Sequence, residues 1–250
     1  GCGAGFFPKF EKTAKEALAQ HQISITMTLL DPFCLILLLG SEEERRWKGI
    51  EPVLIEALKN CTQEGSIEGC FLSNGRRGCC QEDVLSSYRQ AKEAGKALSW
   101  LGWGKSICYD EVPPEKPWNA DGKKLFNEFY KLVAAKDEKK ACQFQKELYE
   151  KLVSHHMRMN YDIRYQYCVM RDMLEKAAEY LYPGVMAKPW EQSGTDFFMQ
   201  AETFAEMKDE MIRRIEQLFE KQNEKKDKNK SENNFTVGRV TEYIQEHYAE

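Results

Sequence analysis

Long apolar runs are absent from this sequence. The longest strongly apolar stretch, 33–39, is far shorter than the roughly 20 residues that a membrane-spanning helix needs. The chain also does not open with the basic segment and apolar core of a secretory signal. Together these absences predict a cytoplasmic protein with no membrane partner.

A surplus of charge of one sign is also absent. The 36 lysines and arginines nearly balance the 40 aspartates and glutamates, which gives a formal net charge of −4. This balance argues against a nucleic-acid surface over the whole chain, although it allows a local basic patch. Hydrophobic residues make up 42% of the 250 residues, which is enough for the core of one large or two small domains.

Histidine is scarce, with four residues, and the nine cysteines show no metal-site spacing. Most cysteines lie in apolar segments, where a thiol behaves as a small hydrophobic group. Their odd number favours a reducing cytosol over a disulfide framework. The one local cluster, Cys70 with Cys79 and Cys80, has no second pair or histidine at zinc spacing, so we expect no metal site.

The stretch 69–112 predicts a strand, a helix and a second strand. Short apolar runs at 70–72 and 107–109 have the length of strands. Between them, apolar and small residues recur at helical spacing, and Gly102 and Gly104 favour an end to the helix. The residues on that helical face are Val84, Tyr88, Ala91, Gly95 and Leu98.

Upstream of this unit, the pattern predicts two helices and two strands. We expect helices at 10–21 and 43–62, the second kinked or split at Pro52. Polar and apolar residues alternate along 23–30, as in a half-buried strand. The segment 33–39 is continuously apolar, which fits a central strand.

Downstream, three prolines between Val112 and Asp121 indicate a domain boundary, and helical periodicity follows. The predicted helices are 123–135, 137–157, 161–182 and 195–220. The segment 221–234 is charged and free of apolar residues, so it predicts a solvated linker. A new amphipathic helix is predicted at 235–250.

Two passages resemble a known family. Residues 86–94 (SSYRQAKEA), followed by 109–112 (YDEV), resemble the middle region of YesN-type response regulators. These are AraC-family transcription factors of bacterial two-component systems. The phrase VTEYIQEHYAE at 240–250 resembles the opening helix of the AraC-type DNA-binding domain. Tyr88, Ala91, Tyr109 and Asp110 carry the resemblance, and we interpret them as packing residues without a chemical role.

The resemblance implies an α+β fold, a cyclase-like or GGDEF-like palm sheet with helices, followed by an all-helical segment. It predicts a degenerate GGDEF-like domain at 1–112 and a helical regulatory domain at 118–222. The segment 235–250 would be the first helix of a truncated AraC-type helix-turn-helix domain. The chain departs from the family pattern in two places. The first strand of the palm would lie upstream of Gly1 or be absent, and the recognition helices are not in the sequence.

The chemistry of a GGDEF-type cyclase is missing from the hairpin where its signature belongs. That hairpin, Leu30-Asp31-Pro32-Phe33, keeps one acid and has no glycine pair. We interpret Asp31 as a turn former and not as a metal ligand. We therefore expect no enzyme activity, no catalytic residue, no resident cofactor and no metal ligand.

Other candidate groups have simpler interpretations. His155-His156 have no third ligand at helical spacing and are expected at a surface or an interface. The segment 75–78 (GRRG) could meet an anion at a helix N-terminus, but Glu82 and Asp83 already occupy that position. A methionine and tyrosine set is interpreted as core filling, with a ligand pocket left open: Met157, Met159, Met170, Met173, Tyr161, Tyr165 and Tyr167.

The first functional hypothesis is a regulatory, signal-transmitting segment of a bacterial AraC-family regulator. Its partners would be an upstream receiver or sensor domain, a downstream DNA-binding domain and, in some states, a second copy of the chain. DNA would be contacted only through that downstream domain. The alternative is a small-molecule or nucleotide-sensing domain of such a regulator. An active nucleotide cyclase is disfavoured by the hairpin.

Overall fold

The computed structural model describes residues 6–31, 34–42, 50–61, 69–118, 121–181 and 197–220. Its helices are α1 (Phe6–Gln20), α2 (Ile50–Cys61), α3 (Gln81–Gly95), α4 (Leu98–Leu101), α5 (Gly122–Ala134), α6 (Glu138–Ser154), α7 (Tyr161–Leu181), α8 (Phe197–Gln200) and α9 (204–220). Its strands are β1 (Ser24–Asp31), β2 (Cys34–Gly40), β3 (Phe71–Asn74) and β4 (Lys105–Cys108). Helices and sheets are both present, so a mixed helix-and-sheet fold is confirmed, and it is compatible with the predicted α+β class.

Internal contacts divide the chain into two compact units. Unit 1 takes the chain up to Leu72 together with Trp103–Ser106, and unit 2 takes Ser73–Gly102 and the chain from Ile107 onward. The division passes through the middle of β3 and β4. It groups α3 and α4 with the helices that follow. The family modules predicted at 1–112 and 118–222 stay predictions, and those at 221–234 and 235–250 lie outside the described residues.

Unit 1 is built from α1, α2 and the β1–β2 hairpin. Phe10, Ala14 and Leu18 recur at every fourth position of α1, and all three are buried. They pack with α2 residues, including Leu54 and Ala57, and with the inward side of the hairpin. Pro52 is the third residue of α2, in the first turn, where a missing N–H costs little.

The hairpin predicted between the two upstream strands is confirmed. Its strands are antiparallel, with Ile25 opposite Leu39 and Met27 opposite Leu37 on the side that packs against the helices. The opposite side pairs Thr26 with Leu38, and Leu38 is 48% exposed. Among the described residues β2 pairs with β1 alone, so a central position for this strand is not confirmed.

The predicted strand–helix–strand unit is present, but its single predicted helix is divided at 96–97 into α3 and α4, which lie between β3 and β4. Three contacts join residues that lie 34 positions apart: Gly104 N–H to the Cys70 carbonyl, Asn74 to Cys108, and Arg76 to Asp110. A constant offset means that the two strands run in the same direction. The two strands form a two-stranded sheet, and the described residues do not confirm a larger GGDEF-like palm.

Within unit 2, helices α5 to α9 form the largest hydrophobic core found among the described residues. Their apolar faces follow the predicted periodicity, and their buried side chains form one cluster. Asp121 and Asp137 cap α5 and α6, because each side chain accepts a hydrogen bond from a backbone N–H in the first turn. None of the described helices combines the length and the apolar composition needed to cross a membrane.

The single helix predicted over 195–220 is wrong at 201–203. The structure has α8 and α9 there, separated by three non-helical residues. Thr203 caps α9 by accepting from the Glu206 N–H at 3.1 Å, and the Glu206 carboxylate accepts from the Thr203 N–H at 2.9 Å. This reciprocal pair is a capping box, and its Thr-x-x-Glu spacing is visible in the sequence.

Candidate functional site

Side chains converge where the parallel strands β3 and β4 end, all within unit 2. Arg76 follows β3, and Tyr109 and Asp110 follow β4. The Arg76 Nη2 and Nε atoms each lie 2.6 Å from Asp110 Oδ1. The guanidinium carbon also lies 5.3 Å from the centre of the Tyr109 ring. In α/β proteins, ligands bind at the carboxyl ends of parallel strands, so this edge is the first candidate site.

The Arg76–Asp110 pair lies at the surface, and both side chains are well exposed. The hydrogen bond to Asp110 and the charge of its carboxylate raise the pKa of Arg76. An exposed pair of this kind contributes little to stability. The interpretation of Tyr109 and Asp110 as packing residues therefore missed what they contact, which is the side chain of Arg76.

Two glycines allow the 75–80 loop to lie directly on α3. A Cβ atom on Gly75 would lie 1.9 Å from the Ser87 carbonyl oxygen, and one on Gly78 would lie 2.2 Å from the Asp83 Cβ. Neither position can accept a larger residue without movement of the helix backbone or of the loop. The sequence pattern GRRG identified this loop as a candidate. It did not indicate that the loop backbone lies so close to α3 that only glycine fits at these two positions.

Asp83 occupies the N-terminal end of α3, as expected. Its carboxylate accepts from the backbone N–H of Cys79 at 2.8 Å and of Cys80 at 3.3 Å. The hydrogen bond from Cys79, followed by those from Cys80, lowers the pKa of Asp83. These N–H groups are therefore already bonded, and an anion at this helix end would have to displace Asp83.

A surface depression of about 170 Å³ lies between the loop and the exposed side of α3. Its lining residues are Arg76, Arg77, Asp83, Ser86, Ser87 and Gln90. Gln90 Oε1 accepts from the Arg76 backbone N–H at 2.9 Å, which fixes the loop against the helix. Two guanidinium groups, two hydroxyls and an amide can bind a small polar anion, although Asp83 offsets part of the positive charge.

A second site of interest lies in unit 2 at the connection between α6 and α7, residues 155–160, which we call the α6–α7 connection. Ser99 of α4 is 3% exposed, and its Oγ lies 2.9 Å from the Met157 carbonyl oxygen and 3.0 Å from that of Lys96, so its one proton is shared between the two carbonyls. The two residues are 58 positions apart. A buried hydroxyl that donates to a main-chain carbonyl fixes the position of α4 on this connection.

An ion pair reinforces the same contact. Arg158 pairs with Glu93 of α3, and its Nε lies 3.8 Å from a carboxylate oxygen of Glu115. Glu93 also pairs with Lys96 at 2.6 Å. The hydrogen bond from Lys96, together with the charges of Arg158 and Lys96, outweighs burial and lowers the pKa of Glu93. The carboxylate of α3 therefore stays ionised and able to bind Arg158.

The predicted histidine pair lies in this connection. The Lys116 N–H donates to the His155 carbonyl at 2.9 Å, and the Lys116 Nζ donates to the Ser154 carbonyl at 3.2 Å. The His156 ring lies 5.1 Å from that of Trp100 in α4. Both histidines take part in an internal contact of unit 2, and neither belongs to a metal-binding group within the described residues.

The methionine and tyrosine set divides between core and surface. Tyr167 and Met170 are buried in the bundle, as expected for core filling. Tyr161 and Tyr165 instead stack on each other at the surface, with ring centres 6.2 Å apart, so their interpretation as core residues is wrong. Residues four positions apart lie on the same side of a helix, so the spacing places these two tyrosines together. It does not indicate which side of the helix is buried.

Comparisons with known proteins add no family to this picture. No family model matches the chain, and no curated protein or solved structure matches it either.

Proposed function

We propose that this chain is a regulatory, signal-transmitting segment of an AraC-family, two-component type transcription regulator. The observation that supports the proposal is the set of contacts between α3–α4 and the α6–α7 connection. Ser99 and Arg158 contribute bonds between residues 58 and 65 positions apart. A signal that reached α3 would move the helical bundle with it, because these contacts lie within one compact unit.

The order of elements supports a degenerate GGDEF-like domain as the first part of such a segment. An antiparallel hairpin is followed by helix, strand, helix and strand. The bundle would then pass the signal toward 235–250, whose sequence resembles the first helix of an AraC-type domain. In this proposal the protein is cytoplasmic and has no enzyme activity, and it contacts DNA only through the domain downstream.

The proposal is tested first on the complete coding sequence. We expect about a hundred further codons after Glu250 that encode two helix-turn-helix units, with a receiver or sensor upstream. A stop codon directly after Glu250 would remove the output domain and contradict the proposal.

A second test uses the full-length gene product with the variants Ser99→Ala and Arg158→Leu. Both should still bind the operator but lose the response to the upstream signal. Ser154→Ala serves as the control, because the Ser154 hydroxyl is exposed and bonds only to residues close to it in sequence, the Lys151 carbonyl and the His155 ring. An unchanged response in both variants would show that these contacts do not transmit the signal.

The depression at the end of β3 and β4 favours a second candidate, the sensing of a small anionic molecule such as a nucleotide. Two arginines and two serines line it, which is a suitable set for phosphate oxygens. A nucleotide panel should raise the Tm of the wild-type chain but not of Arg77→Ala. Arg89→Ala is the control, since Arg89 is exposed on α3 outside the lining. An absence of any shift in the wild-type chain would refute this candidate.

A further inference from the structure

Two polar side chains lie deep in the core of the helical bundle. Gln145 of α6 is 0% exposed and Tyr167 of α7 is 1% exposed. Around them the core is apolar, formed by leucine, methionine, phenylalanine and alanine side chains. Glutamine in such a position is unusual, because burying an amide without its hydrogen bonds is unfavourable.

Each of the two residues has an atom without a hydrogen-bond partner among the described residues. These atoms are Gln145 Oε1 and the Tyr167 hydroxyl oxygen. The remaining amide group of Gln145 makes a weak contact, with Nε2 lying 3.7 Å from the Met170 Sδ. Gln145 Oε1 is an acceptor that lacks a donor, whereas the Tyr167 hydroxyl is a donor that lacks an acceptor.

The Gln145 side chain contacts the same turn of α7 that carries Tyr167. Met170 lies three residues after Tyr167, so both belong to one turn of α7. The Gln145 amide therefore already touches the turn that carries the tyrosine. A rotation or a shift of α7 against α6 within one turn would bring the unpaired donor and the unpaired acceptor toward each other.

Ring contacts hold the arrangement that the structure shows. The Tyr167 ring stacks on Phe198 with centres 5.7 Å apart, and the Arg214 guanidinium lies 5.3 Å from the Phe198 ring. Arg164 donates to the Met199 carbonyl at 2.6 Å and so holds α8 in place. The observed packing therefore keeps these ring contacts but leaves the Tyr167 hydroxyl and Gln145 Oε1 without a hydrogen bond.

We propose that the bundle has a second arrangement, in which the Tyr167 hydroxyl donates to Gln145 Oε1 and the Tyr167–Phe198 stack is released. The observed arrangement has the ring stack without the hydrogen bond, and the second arrangement has the hydrogen bond without the ring stack. Conversion between them is the step by which the bundle passes on a signal, and this last role rests on the proposed function. The existence of the second arrangement does not depend on it.

The test observes the Met170 methyl group by NMR, because its sulfur contacts Gln145 in the observed arrangement. In the wild-type chain we expect exchange broadening of this signal, with relaxation dispersion on the microsecond to millisecond timescale. Tyr167→Phe and Gln145→Leu should each suppress the exchange, since each removes one partner of the new hydrogen bond. Tyr161→Phe and Gln143→Leu, on the exposed sides of the same helices, should leave it unchanged.

Thermal unfolding gives an independent readout. Tyr167→Phe should raise the Tm by roughly 2–6 °C, because it removes an unpaired buried hydroxyl and keeps the ring. A fall in Tm would overturn the proposal, since the hydroxyl would then be bonded in the native state. Exchange of the Met170 signal that persists in Tyr167→Phe would overturn it as well. Both measurements use the chain alone, so a failure of the transcription-factor proposal would leave their outcome unchanged.

Discussion

The helical bundle and the β1–β2 hairpin bury their apolar residues to very different extents. Of the twelve largest fully buried side chains among the described residues, ten belong to α5–α9 and only Phe10 and Leu18 belong to α1. The hairpin contributes none of them, and Leu29, Leu30 and Leu38 are about half exposed. A continuous apolar strand does not guarantee a buried strand, because burial depends on what covers each side of the sheet.

The difference between the bundle and the hairpin shows which features local periodicity can predict and which depend on tertiary context. A helix with apolar residues at i, i+3 and i+4 carries the information about its buried side in its own sequence. A strand of seven apolar residues has no such internal marker, since both of its sides are apolar. We therefore expect the bundle to dominate the free energy of unfolding and the hairpin to contribute little.

The largest difference should come from one substitution made in both regions. Leu174→Ala removes a fully buried side chain of α7, and we expect a loss of roughly 2–5 kcal/mol in the free energy of unfolding. Leu38→Ala on the exposed side of β2 should cost less than about 1 kcal/mol. Urea denaturation of both variants measures the two values. Equal losses would mean that β2 is covered as fully as the bundle helices.

A smaller difference should separate the buried and the exposed serine at the α6–α7 connection. Ser99→Ala leaves the Met157 carbonyl without its donor, and we expect a cost of about 1–3 kcal/mol. Ser154→Ala should change the free energy of unfolding by no more than about 0.5 kcal/mol. Urea midpoints of the two variants check this difference, and similar midpoints would contradict the fixed docking of α4.

Removal of the cap at the start of α9 should lower the free energy of unfolding by about 1 kcal/mol. Thr203→Ala removes the side chain that caps α9, and caps of this kind contribute about 1 kcal/mol. Thr13→Ala is the control, because the Thr13 hydroxyl bonds back to the Lys9 carbonyl inside α1 and caps nothing. Thermal unfolding should therefore shift for Thr203→Ala only. A shift of the same size in both would show that the break at 201–203 has no capping function.

The smallest effect is a pH dependence within the bundle. Burial raises the pKa of Glu210, but hydrogen bonds from Arg213 and Arg214 outweigh it, so the pKa is lowered overall. A lowered folded-state pKa means that this contribution is present above the unfolded-state value, near 4.3, and is lost as the pH falls through the folded-state value.

Glu210→Gln keeps an oxygen that can accept from Arg213 and Arg214 and removes only the charge, so it should be less stable than the wild type at pH 7 by about 1 kcal/mol. The difference should shrink below about pH 4.5. Urea midpoints at pH 7, 5 and 3.5 measure it. A difference that grows as the pH falls would contradict the sign of the pKa shift.

Much of the architecture could be predicted from the sequence, for reasons visible in particular residues. The stripe of Phe10, Ala14 and Leu18 placed α1, and the cap at Asp137 placed the start of α6. The alternation along 23–30 placed β1, and the turn at Asp31-Pro32 indicated the hairpin that it forms with β2. In each case the signal is local, since it depends on residues within a few positions of one another.

The contacts that define the candidate sites were beyond prediction, because they join distant positions. Nothing near Arg158 in the sequence indicates Glu93 as its partner, and nothing near Asp110 indicates Arg76. The break before α9 is different, because a local signal for it exists in the sequence. The Thr203–Glu206 spacing is typical of a helix start, whereas the long apolar stripe favours one continuous helix. Side-chain partners across more than about ten residues are fixed by the fold and not by the local pattern.

The central claim is that α3 belongs to the cooperative unit of the helical bundle. Native-state hydrogen exchange in increasing urea tests it most directly, because it measures the opening free energy of each helix separately. We predict that the protected amides of α3 open together with those of α6 and α7, and at higher urea than those of β1 and β2. Opening of α3 together with the hairpin, while α6 and α7 stay protected, would contradict the account.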